Sequence, residues 1–128
     1  MGLEEKRVIK KLQEEVLPRY HDELAALAGR EIPVTVAWES FSEDLRAMKF
    51  FENQGLKYMV SAVKAVCKDD IGREAVNKGL KEIKFVNLDD PAGCGVTFAG
   101  GVVLVKGSWA KAGYPQEGDI RKAIENGL

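Results

Sequence analysis

A chain of 128 residues can build one core that removes roughly two-thirds of its unfolded surface from water, so folding requires neither a metal nor disulfides. With 45% hydrophobic and 30% charged residues the composition is that of a folded globular domain and excludes a low-complexity chain. The net charge of −1 is evenly spread, ten Lys/Arg against eleven Asp/Glu in residues 1–64 and nine against nine in residues 65–128, and this excludes nucleic acid as an expected partner.

The N-terminus alternates charge from Glu4 onward and offers no apolar stretch of the kind a signal peptide requires. The longest aliphatic run, Val102 to Val105, is far below the ~20 residues of a membrane span, so a soluble cytoplasmic protein with no membrane partner is expected. In that compartment Cys67 and Cys94, which are not spaced as Cys-x-x-Cys, are expected to be reduced.

Residues 3–28 place Ile9, Leu12, Val16, Tyr20, Leu24 and Leu27 three or four apart, which predicts a long helix, kinked or split at Pro18 and stopped by Gly29. Ile32, Val34, Val36 and Trp38 then alternate with Pro33, Thr35 and Ala37 as in a strand with one buried face, and Pro33 argues for a strand entry or an edge. Ser40 and Glu43 have capping-box spacing, so a second helix is expected to start there and to run until Asn53-Gln54-Gly55 interrupts it. A third helix carries the stripe Leu56, Met59, Val60, Val63, Val66 and Cys67, and a fourth, capped by Asp69 or Asp70, runs to Leu80.

From Ile83 the period changes to two. Residues 82–88, 95–99 and 102–106 read as three consecutive strands, with a type I turn at Asp90-Pro91-Ala92-Gly93 and a two-residue hairpin at Gly100-Gly101. Asp119 is expected to cap a last helix ended by Gly127. Strands and helices are segregated along the chain, which predicts one α+β domain over residues 1–128. Its sheet is expected to be small and mostly antiparallel, one early strand plus a C-terminal three-stranded meander, packed against several helices.

No cofactor or metal centre is expected, because the chain has a single histidine and no second ligand at a recognised spacing from either cysteine. Phosphate loops fail at particular positions: the glycines at 93 and 95 are followed by Phe98 where a third glycine is needed, and those at 95 and 100 by Gly101 where a lysine is needed. The candidate nucleophile is Cys94, between two glycines at a turn-to-strand junction, with Asp89 and Asp90 just before it, His21 the one imidazole base, and Glu39 a carboxylate at a strand end. Each also has an ordinary structural role as a turn, cap or boundary residue. Phe50 and Phe51 point about 100° apart on a helix, so one of them is expected at the surface, where with Tyr58 it would form a protein-contact patch.

Two functional readings follow. The first is a protein-binding or self-associating module, such as a homodimer, without catalytic activity. The second is an enzyme or small-molecule binder with its site at Asp89, Asp90 and Cys94; no small molecule is identified.

Overall fold

The computed structural model describes residues 2–41 and 44–128. Helices α1 (Leu3–Lys11) and α2 (Leu17–Ala28) are joined without a break by a π-helical turn at Leu12–Val16. Pro18 accounts for it: a proline donates no N–H and crowds the carbonyl four residues back, and a widened turn just upstream accommodates both effects. The irregularity expected at Pro18 therefore takes the form of a wide turn inside one continuous helix. Gly29 ends it in the left-handed region, at φ 77°.

The second helical rod departs from expectation at both its start and its middle. Ser40 does not open it, and Glu43 lies outside the described residues. Instead, residues Trp38–Phe41 form a 3-10 turn and α3 (Leu45–Phe51) is capped by Asp44, whose carboxylate accepts from Ala47 N at 3.0 Å. Asn53-Gln54-Gly55 does not interrupt the helix either. It lies in a second π turn, Glu52–Leu56, that runs directly into α4 (Lys57–Val66). A helical glycine costs about 1 kcal/mol. Burying Leu56, Met59 and Val63 contributes about 1.5–3 kcal/mol each, so packing outweighs propensity.

Helix α5 (Asp70–Gly79) is capped by Asp69, and α6 (Glu117–Gly127) by Gln116 rather than by Asp119. Asp119 instead reaches back from the first turn to accept from Gln116 N at 2.9 Å. The ends of α2 and α5 hold each other: Asn77 donates to Ala28 O, while the Arg30 guanidinium donates to the carbonyls of Asn77 and Leu80.

The sheet contains β1 (Val34–Val36), β2 (Glu82–Asn87), β3 (Gly95–Ala99) and β4 (Val102–Gly107), in the order β1-β2-β4-β3. β1, β2 and β4 are parallel, and only β3 and β4 are antiparallel, so the sheet is mixed and the expected three-stranded meander is corrected. The expected hairpin is present, with Gly100 and Gly101 at φ 60° and 82°. What moves is β3, which passes to the outside while β4 takes the place beside β2. Burial gives the reason: on the covered face Ile83, Phe85, Val103 and Val105 are all buried, whereas Val96 and Phe98 of β3 are only half-buried.

All the helices lie on the face of the sheet that presents Val36, Ile83, Phe85, Val103 and Val105; on the other face Thr35, Lys84 and Thr97 are exposed. At the centre of the covered face the rings of Phe41, Phe51, Phe85 and Trp109 meet, with centroids 4.8 Å apart for Phe41 and Phe51 and 5.0 Å for Phe51 and Trp109. Phe51 is thus fully buried, which removes it from the expected contact patch. Gly55 makes this closeness possible, since a Cβ there would stand 2.7 Å from the Phe51 ring and 3.3 Å from Trp109.

Candidate functional site

In open parallel sheets, ligands gather outside the carboxyl ends of the strands. Here that region is closed by a buried polar hub. Asn87, at the end of β2 and 6% exposed, donates to Ser40 O at 3.1 Å and accepts from Trp109 N at 3.3 Å, while its own backbone N–H donates to Ser40 Oγ at 2.9 Å. The Trp109 indole N–H donates to Gln54 O, in the second π turn, at 3.0 Å. One asparagine and one tryptophan therefore tie together the ends of β2 and β4, the 3-10 turn and the middle of the second rod. Gln54 Oε1 and Ser108 Oγ are buried nearby with no hydrogen-bond partner among the described residues.

The two aspartates proposed from the sequence lie just beyond this hub, and the carboxylate of Asp90 is occupied with the backbone. Asp90 accepts from Ala92 N at 2.9 Å and opens the 3-10 turn Pro91–Gly93, while the main-chain oxygen of Asp89 accepts from Lys111 Nζ at 2.7 Å. That turn packs closely on the Ser108–Gly113 loop, where a Cβ on Gly113 would fall 2.1 Å from Pro91 Cβ.

Cys94 follows the turn and is exposed. It lines a depression of about 420 Å³ with Gly95 and Val96 of β3, Tyr114, Pro115, and Asp119 and Lys122 of α6. At the other end of β3, Phe98 and Ala99 line a second depression of about 610 Å³ with Lys78, Lys81 and Leu128. α6 runs alongside β3 in the same direction, with Asp119 and Lys122 near Gly95 and Gly127 against the Phe98 ring.

His21 and Glu39 do not join this group. The His21 ring lies 2.9 Å from Glu31 and 3.7 Å from Asp22, on α2, and Glu39 is exposed on the 3-10 turn beside Lys6, Lys10 and Trp38. Cys94 therefore has Lys122 and Tyr114 as neighbours rather than an imidazole base. Burial pushes the thiol of the other cysteine, Cys67, above its ordinary pKa, as befits a core residue. Burial and a 3.1 Å hydrogen bond to Glu52 likewise raise Tyr20, at the crossing of the two rods.

Of the expected aromatic patch, Phe50 is 42% exposed, with the Arg46 guanidinium 5.7 Å from its ring centroid. Tyr58 is half-buried with its ring 6.2 Å from that of Tyr114, so the expected patch reduces to Phe50.

The feature missed in the sequence is the outer edge of β3. Among the described residues the strand has a single neighbour, and no backbone hydrogen bond from a turn or loop reaches residues 95–99. The run Gly-Val-Thr-Phe-Ala carries no charge and no proline, a signal that was legible once the strand's outside position was known.

Among the described residues no three His, Cys, Asp or Glu side chains form a group that could hold a metal ion, and no helix is long and apolar enough to cross a membrane. No family model, curated protein or solved structure matches the chain.

Proposed function

We propose that the protein is a binding module whose contact surface is the edge of β3, where another polypeptide adds as a further strand. The observation that carries this reading is the state of that edge: five uncharged residues, outermost in the sheet, with a depression at each end able to receive side chains. An edge strand presents a row of N–H and C=O groups that an extended chain satisfies by pairing, while flanking pockets select among side chains. The reading at Asp89, Asp90 and Cys94 has less support, since Asp90 is committed to its turn and His21 sits with Glu31.

Selection of extended peptides from a display library, followed by titration against Val96→Pro and Thr97→Pro, tests the proposal. Adjacent residues in a strand send their N–H groups to opposite sides, so one of these two variants spares the ladder to β4 and keeps its circular dichroism spectrum. That variant is expected to lose peptide affinity by about tenfold or more, the equivalent of one backbone hydrogen bond and its steric fit. Peptides that bind the folded proline variant as tightly as the wild type would overturn the reading.

A further inference from the structure

We infer that the strand β3 accepts is β3 of a second copy of this chain, paired antiparallel about a two-fold axis through Thr97. The inference rests on the strand-addition reading and names its partner.

A two-fold pairing puts the same edge on both sides, so the edge must complement itself. Centred on Thr97, the pairing sets Gly95 opposite Ala99 of the second copy, Val96 opposite its Phe98, and Thr97 opposite its Thr97. Aromatic with β-branched and Thr with Thr are favourable cross-strand pairs, whereas a like charge facing itself would be destabilising. Residues 95–99 contain no charge to do so. The register also respects the pleat. Half-buried Val96 and Phe98 stay on the helix side in both copies, and exposed Thr97 stays on the open side.

Helix α6 is compatible with the same axis. Because it runs in the direction of β3, the two-fold sets the two α6 helices antiparallel beside the joined strands. Asp119 and Lys122, both exposed beside Gly95, then stand at the end of the joined strands where Ala99 of the second copy and the C-terminal turn of its α6 lie. The joined strands supply about four to six backbone hydrogen bonds, depending on whether Thr97 falls at a hydrogen-bonded or a non-hydrogen-bonded pair. Two open edges are thereby covered at once, and the four-stranded sheet is doubled.

Light scattering on the eluting full-length protein tests this, using Thr97→Glu and Thr97→Lys. The side chain is exposed, so both variants are expected to keep the wild-type circular dichroism spectrum and a cooperative melting transition, lowered only by what the lost association contributed. The wild type is expected to be a dimer. Each variant alone places a charge opposite its own copy and should weaken dimerisation by about tenfold or more, and an equimolar mixture should restore the dimer as a Glu–Lys heterodimer. Three results would overturn the inference: a monomeric wild type, variants that remain dimeric, or a mixture that stays monomeric. A monomeric wild type whose selected peptides still lose affinity with the folded proline variant overturns only the second copy as partner. Loss of that peptide dependence as well overturns strand addition itself.

Discussion

The sheet has two edges, and they are built differently. β1 is three residues long, enters from Pro33, and its Thr35 hydroxyl donates to Glu82 of the neighbouring strand at 2.8 Å. β3 is five residues long, uncharged, and flanked by a depression at each end. Shortness and a nearby proline are the usual protections of an edge strand, and β1 has both while β3 has neither. The lesson is that a free edge can be told from a protected one by composition, once the strand order is known.

The largest effect that would disturb this comparison comes from behind it, because both edges depend on the same central strands. Trp109→Ala removes a fully buried ring in contact with Phe41, Phe51 and Phe85, together with the indole N–H that holds Gln54 O. It should lower stability by about 3–5 kcal/mol in urea denaturation, with both edges lost in one transition. A loss below about 1 kcal/mol would mean that the aromatic cluster is not what anchors β2 and β4 to the helices.

A smaller change should separate the two edges. Gly101→Ala forces a side chain into φ 82°, with its Cβ 2.8 Å from Gly79 O, and is expected to cost about 2 kcal/mol. Native-state hydrogen exchange should show residues 95–99 opening more readily while residues 34–36 keep their protection. Equal acceleration at both would show that β3 is not an independent edge.

The smallest effect sharpens the picture without disturbing the fold. Cys94, beside β3, should react with a thiol reagent in the native protein, whereas buried Cys67 should wait for unfolding. The sign is consistent, since burial raises the Cys67 pKa and so lowers its thiolate fraction at any given pH. Cys94→Ser should change stability by no more than about 0.5 kcal/mol. Rapid labelling of native Cys67 would contradict its place in the core.

How much was legible depended on distance along the chain. Leu12, Val16, Tyr20 and Leu24 announce a helix because residues three and four apart share a face, and Gly100-Gly101 announces a hairpin because both need positive φ. The π turns were hidden for the same local reason. A turn one residue wider still leaves Phe51, Leu56, Met59 and Val63 buried in sequence order, so Asn53-Gln54-Gly55 looked like a break. Of the candidate site, the segment around Cys94 was visible as a turn-to-strand junction. Its neighbours Tyr114, Asp119 and Lys122 were not, since α6 and the segment leading into it supply them from twenty or more residues away.

The sequence by itself determined the α+β class, the helical stripes, the β3–β4 hairpin and the interior place of Cys67, all of which follow from periodicity and turn chemistry within a few residues. Only the tertiary structure decided that β2 and β4 run side by side in parallel, that Phe51 faces inward and Phe50 outward, and that β3 stands alone at the edge. Those outcomes turn on which apolar strand wins the most buried place, a competition between segments distant in the chain that no local pattern records.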